Sequence, residues 1–323
     1  MQQRNLGPSG LQVSVVGLGC NNFGGRMEFA ATKAVVDRAL DLGITLFDTA
    51  DGYGDPNRGG SEEALGAILG ARRKRIVLAT KFGLPMTDDA PADRGSRRYI
   101  MQAVEASLKR LKTDWIDLYQ YHRPDGVTPL EETLRALDDL VRQGKARAIG
   151  CSNMTAAEIG EACSAAKAGG LTPFVSTQEQ YSALVRGIEE NVLPAAERNG
   201  LALLPYFPLA SGLLTGKYRR GAAAPEGSRL AYSQRHMNRF GNATYLDAVE
   251  ELDAYCKARG RALLELAFGW LLARPSIPSV IAGATKAEQI DGNVAAAGWR
   301  LTPEEYAAVN RITADLPPPA GPT

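Results

Sequence analysis

Short apolar runs rich in β-branched residues recur along the chain, and most are followed by a stretch with apolar residues at helical spacing. The runs are VSVVGLG (13–19), TLFDTA (45–50), IVLATKFG (76–83), IDLYQYH (116–122), ARAIGCSN (146–153), FVSTQEQY (174–181), LALLPYFPL (201–209) and SVIAGAT (279–285). Runs of this length read as buried strands, and the amphipathic stretches between them as helices. Four helix starts carry caps. Thr128-Pro129-Leu130-Glu131 predicts a capping box with proline at the first helical position, and Gly144 marks that helix's end. Thr155 with Glu158 opens a second helix, ending at Gly169-Gly170. Thr285 with Glu288 predicts a helix from Lys286, and Thr302 with Glu305 another. Eight strands alternating with helices predict parallel βαβ units. In a chain of this length a (β/α)8 TIM barrel is the economical arrangement, although a doubly wound sheet would alternate in the same way.

Three segments fall outside a bare barrel. The opening RNLGPSGLQVS predicts a small N-terminal hairpin turning at Gly7-Pro8-Ser9-Gly10. Between strands seven and eight an extra loop runs from about 217 to 245, ahead of helical segments at 246–259 and 262–273. An insertion of that length on a barrel is more often functional than part of the core. The proline-rich end, residues 314–323, reads as a mobile tail on one domain spanning residues 1–323. Composition narrows the function. Lysine and arginine total 37 against 36 acidic residues, a net charge of +1, so no nucleic-acid or anionic-membrane partner is expected. No apolar run approaches the ~20 residues that span a bilayer, and MQQRNLGPSG lacks the apolar core of a signal peptide. Four scattered cysteines without a CxxC pair suit reduced thiols in a cytoplasmic protein. Only two histidines are present, which makes a histidine-based zinc site improbable, and no metal is expected.

The polar residues gather at one end of the strands. Asp48 closes the second run, with Tyr53 in the loop beyond it. Lys81 ends the third, His122 the fourth, Ser152 and Asn153 the fifth, and Gln178 lies late in the sixth. Tyr206 is late in the seventh, and Gly283 to Lys286 follow the eighth. Singly, each has an ordinary explanation: a turn cap, a packed tyrosine, a satisfied histidine, a strand-to-helix loop. Lysine inside an apolar strand is the hardest to dismiss without a partner. Jointly they occupy the carboxyl ends of seven strands, the face on which barrel active sites are built. Two apparent motifs fail. Gly17 and Gly19 of GLGCNNFGG lack a third glycine at dinucleotide-fingerprint spacing, and SGLLTGKY has one residue too few and a tyrosine where a phosphate loop needs Ser or Thr. Cys151, at a strand end, would need an activating histidine to serve as a nucleophile.

An aspartate, a lysine, a tyrosine and a histidine without a metal suit one kind of chemistry. A lysine ammonium beside a tyrosine favours the phenolate, and a carboxylate behind the lysine keeps it charged. Such an assembly can deliver a proton to a carbonyl oxygen as its carbon is reduced, with hydride from a nicotinamide or flavin. The motifs FDTADGYGDPNRGGSEEALG, ATKFG, LKRLKTDWIDLYQYHRPD, IGCSN, QEQYSAL, YFPLASGLLTGKY and IAGATKAEQIDGN, in this order, resemble the aldo-keto reductase family over nearly the whole chain.

The resemblance implies a catalytic tetrad of Asp48, Tyr53, Lys81 and His122, and NADPH as cofactor. It places Ser152, Asn153 and Gln178 at the nicotinamide, with Tyr206 stacked on the ring. It places Leu209, Ser211, Gly212, Leu214 and Lys217 along the pyrophosphate, and Gly283, Thr285, Lys286, Gln289 and Asn293 at the adenosine end. Gln289 stands where the family often has arginine, and Gly292 where it often has glutamate. The insertion and GKYRRG are closest to the bacterial aryl-alcohol or sugar-aldehyde branch. The expected activity is NADP-dependent reduction of a small-molecule aldehyde or ketone, with Tyr53 as proton donor. Asn21, Phe23, Phe82, Met86, Phe207, Arg229 and Tyr232 are candidates for the substrate pocket. Two other readings stay open: a nicotinamide-binding sensor subunit, like the channel β subunits that share this barrel, and a Schiff-base lyase using Lys81. A helix opening at Lys286 would offer backbone N–H groups and a positive dipole end to the adenosine phosphate, favouring NADPH over NADH.

Overall fold

Strand alternation, more than any single residue, explains how this chain closes. The computed structural model describes residues 1–319. All eight expected strands are present: β3 (Val16–Gly19), β4 (Leu46–Asp48), β5 (Val77–Phe82), β6 (Ile116–Tyr121), β7 (Ala146–Ser152), β8 (Phe174–Gln180), β9 (Ala202–Tyr206) and β10 (Val280–Gly283). They are parallel, in the order β10-β3-β4-β5-β6-β7-β8-β9. The ends of this order, β9 and β10, lie side by side, giving a nearly closed (β/α)8 barrel. The first run divides at Val15: Gln12–Ser14 (β2) pairs antiparallel with Gln3–Asn5 (β1) as the expected hairpin, and only Val16–Gly19 joins the barrel.

Period-two alternation sorts side chains to the two faces of the sheet. Leu46, Val77, Ala79, Leu118, Ala148, Val175, Ala202, Leu204 and Ile281 fill the barrel interior. Phe47, Leu78, Phe82, Tyr119 and Ile149 face outward into the larger core beneath the helices. Leu6 and Val13 of the hairpin join the inner cluster and plug the amino-terminal end of the barrel. Gly7 makes this approach possible: at φ 53° it sits where a Cβ would lie 2.3 Å from the Val175 carbonyl oxygen. One further step along each strand, the inward positions become polar: Asp48 after Leu46, Lys81 after Ala79, Gln120 after Leu118, Tyr206 after Leu204.

Helix starts follow the sequence in two cases and depart from it in two. Thr155–Glu158 and Thr302–Glu305 form reciprocal capping boxes. The helix expected from Thr128 begins instead at Leu130, because Thr128 turns back to Asp125 with its N–H (2.8 Å) and hydroxyl (2.8 Å). The helix expected from Lys286 begins at Ala287, and Gln289 rather than Thr285 and Glu288 caps it: its Oε1 accepts from the N–H of Thr285 (2.7 Å) and Lys286 (3.3 Å). The insertion after β9 holds two short helices, Arg229–Tyr232 and Gln234–Phe240. The next helix starts at Ala243, capped by the Asn242 side chain, earlier than the periodicity alone indicates. In the terminal segment, Leu316 packs on the core and the Pro317 carbonyl accepts from Tyr245 Oη at 2.5 Å. Residues 320–323, part of the expected mobile tail, lie outside the described residues.

Candidate active site

Three inward polar side chains converge on one buried carboxylate, that of Asp48. The Lys81 ammonium donates to Asp48 Oδ2 at 2.7 Å, to the Thr49 carbonyl at 2.9 Å and to Tyr53 Oη at 3.4 Å. Asp48 Oδ1 accepts from Gln178 Nε2 at 2.9 Å and Gln120 Nε2 at 3.3 Å. Lys81 is fully buried and the Asp48 residue 3% exposed, so the pair is shielded from water. Gln120 was not among the sequence candidates. Its signal is the alternation Leu118–Gln120, and in the β5–β6 register it stands opposite Lys81.

The electrostatics keep each group in a definite state. Burial acts to lower the Lys81 pKa, but Asp48 and Tyr53 outweigh it and hold the ammonium above the ordinary lysine value. Burial raises the Tyr53 hydroxyl above the usual phenol value; Lys81 pulls it down, as expected, without overcoming burial. Burial, then Lys81 and Arg123, push His122 well below the usual imidazole value, so its ring is neutral. That ring meets Tyr53 edge-on with centroids 5.8 Å apart, and its buried Nδ1 has no hydrogen-bond partner. A lysine held charged by three oxygens is a poor Schiff-base nucleophile, which disfavours the lyase reading.

Asp48, Tyr53 and His122 line a cavity of about 950 Å³ at the carboxyl ends of the strands, with Lys81 behind them. Ser152, Asn153, Gln178 and Tyr206 form one linked wall. Ser152 Oγ donates to the Gln178 carbonyl (2.6 Å), Asn153 Nδ2 to the His122 carbonyl (2.9 Å), and Tyr206 Oη to Asn153 Oδ1 (2.9 Å). Leu209, Ser211, Gly212 and Lys217 also line the cavity, whereas Leu214 is packed in the core. Phe207, Ala210, Ser211 and Gly212 all have left-handed φ (51°, 45°, 58°, 94°), a costly backbone for the three non-glycine residues. The insertion braces this loop. His236 Nδ1 pairs with Ser211 Oγ at 2.8 Å and its ring meets Phe207 edge-on, while the Arg229 guanidinium lies over the Phe207 ring and Arg26 donates to Tyr232 Oη at 2.8 Å. Burial and the surrounding arginines Arg229, Arg235, Arg239 and Arg26 depress His236 to about 4.

At the far end, Gly283, Thr285, Gln289 and Asn293 line the cavity; Lys286 is exposed beside it. Among the pocket candidates Asn21, Phe207, Arg229 and Tyr232 face the cavity. Phe23 and Phe82 do not. Phe82 is one residue past the inward Lys81 and therefore points out, stacked between Tyr119 and Tyr121, and Phe23 is packed in the same outer core. Met86, half-buried, also falls outside the lining, while Leu84, Pro85, Arg94 and Arg123 belong to it without having been expected. Cys151 is buried, with its thiol pushed up by burial, so it is not a nucleophile.

Comparison with known proteins places the chain in one family. The model described as "Aldo/keto reductase family" matches residues 15–314. A probable voltage-gated potassium channel subunit beta of Arabidopsis thaliana is 37% identical over 92% of this chain and 91% of its own length. The aldo-keto reductase YhdN of Bacillus subtilis is 35% identical over 100% of this chain and 97% of its own. An L-glyceraldehyde 3-phosphate reductase of Escherichia coli O157:H7 is 33% identical, covering 98% and 93% respectively.

Proposed function

The chain belongs to the aldo/keto reductase family, and on that premise we propose that it reduces an aldehyde or ketone to the alcohol with NADPH, Tyr53 donating the proton. The family and its reductase-named relatives support an oxidoreductase acting on small carbonyl compounds. The observation that carries the finer reading is the Lys81 ammonium held between the Asp48 carboxylate and the Tyr53 hydroxyl at the wall of the cavity.

The residues present fit a dinucleotide. The cavity is long enough to be lined at one end by Asp48 and Tyr53 and at the other by Gln289 and Asn293. His122, which lines the cavity, keeps a buried Nδ1 without a hydrogen-bond partner. Ser152, Asn153, Gln178 and Tyr206 would hold the nicotinamide end, Ser211, Gly212 and Lys217 the diphosphate, and Thr285, Lys286, Gln289 and Asn293 the adenosine end. A bound nicotinamide supplies the hydride that side chains cannot.

The chain's own groups supply the proton. Tyr53 keeps its proton at neutral pH, since an ordinary phenol titrates at ~10 and burial raises this one further. A substrate carbonyl oxygen placed between Tyr53 and His122 accepts a hydrogen bond from the hydroxyl, and neutral His122 can orient the same oxygen. As the proton leaves, negative charge develops on Tyr53 Oη, and Lys81 stabilises it from 3.4 Å. Asp48, itself fixed by Gln120 and Gln178, keeps Lys81 charged and in place. The test is a panel of aldehydes and ketones with NADPH and with NADH, following loss of reduced-cofactor absorbance. Turnover with NADPH supports the proposal; no turnover with any carbonyl contradicts it. A second reading, a subunit of a larger assembly with little turnover, draws on the channel-subunit relative. Its distinguishing result would be tight cofactor binding without steady-state reduction.

A further inference from the structure

The wall built by the loops after β5 and β6 is not used by the reading above. It presents two arginines, Arg94 and Arg123, beside the apolar Leu84 and Pro85. Arg94 is half-buried and its guanidinium is fixed: Nε donates to the Gly83 carbonyl at 2.8 Å and Nη1 to the Pro91 carbonyl at 2.7 Å. Gly83 follows Phe82, whose carbonyl accepts from the His122 N–H at 2.8 Å. Arg94 is therefore tied to the rim where the strand bearing Lys81 meets His122. The same loop is held by Arg58 on the Pro85 carbonyl (2.8 Å) and Tyr99 on the Leu84 carbonyl (3.3 Å).

Unlike several other arginines of the molecule, Arg94 is matched to no carboxylate among the described residues. Arg73 and Arg147 share Asp117, and Arg110 is matched to Glu62. Both Arg94 bonds go instead to neutral carbonyls, which leave its charge uncancelled and its Nη2 donors uncommitted by either bond. Arg123 adds a second positive charge next to His122. A fixed guanidinium facing a partly apolar cavity is suited to a bidentate hold on a phosphate or carboxylate.

We infer that the preferred substrate is an anionic carbonyl compound, its phosphate or carboxylate bound by Arg94 while its carbonyl lies at Tyr53 and His122. The inference rests on the reductase reading. The competing account makes Arg94 only a tether for the 83–91 loop, and matched substrate pairs separate the two.

The experiment measures kcat and KM for glyceraldehyde 3-phosphate against glyceraldehyde, and for 4-oxobutanoate against butanal. The protein is compared as wild type, Arg94→Gln and Arg94→Lys. Wild type should favour the charged member of at least one pair by ~10- to 150-fold in kcat/KM, the worth of a charge-assisted contact. The pair with the larger advantage identifies phosphate or carboxylate. Arg94→Gln should erase that advantage by raising KM for the charged members far more than for the neutral ones, and Arg94→Lys should restore part of it. Added salt should raise KM only for charged members in wild type, a readout that needs no variant. Equal kcat/KM within both wild-type pairs would overturn the anion site, as would equal losses for charged and neutral substrates in Arg94→Gln. Wild type that reduces other carbonyls but neither charged member would also overturn the anion site, and wild type that reduces no carbonyl at all would overturn the reductase reading itself.

Discussion

The two ends of the cavity are built on different principles. At the Tyr53 end, Asp48 accepts from Lys81, Gln120 and Gln178, side chains contributed by three other strands, and the Asp48–Lys81 pair is buried. At the Gln289 end, Thr285, Lys286 and Gln289 are exposed, and Gln289 satisfies the N–H groups of Thr285 and Lys286 within its own helix start. The first end is fixed by the barrel; the second is a surface turn whose side chains can change without disturbing the core. Chemistry should therefore be intolerant of substitution, and choice of cofactor adjustable. A smaller contrast lies inside LFDTADGYG. Asp48 has three side-chain donors, whereas both carboxyl oxygens of Asp51, three residues later, are buried without a partner, and burial followed by Glu62 raises its pKa well above the usual carboxylate value.

Breaking the buried pair should have the largest effect. Lys81→Met leaves Asp48 charged and buried, and should lower stability by ~3–5 kcal/mol while abolishing turnover. Denaturant unfolding measures this, and adding Asp48→Asn should recover part of the stability but none of the activity. Unchanged stability in Lys81→Met would remove the contrast between the two ends. At the exposed end, Lys286→Ala should weaken NADPH by ~10- to 150-fold, the worth of a charge-assisted phosphate contact, with NADH nearly unchanged and no change in stability. Cofactor titration by fluorescence checks it, and equal losses for both cofactors would mean that Lys286 does not read the adenosine phosphate. Gln289→Arg should shift preference further toward NADPH, because it frees two N–H groups and adds a charge. The smallest effect concerns Asp51. The folded protein keeps a proton that the unfolded chain loses above about pH 4, so this carboxyl costs stability as pH rises. Asp51→Asn should stabilise the protein by ~1 kcal/mol at neutral pH, with the gain vanishing toward pH 4. A gain that persists unchanged at low pH would point to another cause.

Much of this was legible in the sequence because two periodicities coincide. Eight β-branched runs gave the barrel, and the polar residues at their carboxyl ends gave Asp48, Lys81, Ser152, Gln178 and Tyr206 a common face. Gln120 was equally legible from Leu118 two positions earlier, but glutamine in a strand draws less attention than lysine. Phe82 shows the cost of neglecting alternation: beside Lys81 in sequence, it faces the opposite side of the sheet. Helix starts were less secure, since Asp125 and Gln289, both outside the local capping pattern, took over the donors at Thr128 and Thr285. Arg94 could not be read at all. It reaches the cavity only because Gly83 and Pro91 bind its guanidinium across a loop with no periodicity.

The central claim is that Tyr53 donates the proton in carbonyl reduction, and kinetics of Tyr53→Phe test it most directly. Its hydroxyl is 3.4 Å from Lys81, a long contact, so the substitution should leave the fold and the Asp48–Lys81 pair intact. With a carbonyl substrate that wild type reduces, the account predicts a fall in kcat of at least ~10²-fold, alongside unchanged NADPH affinity by fluorescence titration. A Tyr53→Phe protein that binds NADPH and turns over at the wild-type rate would contradict it.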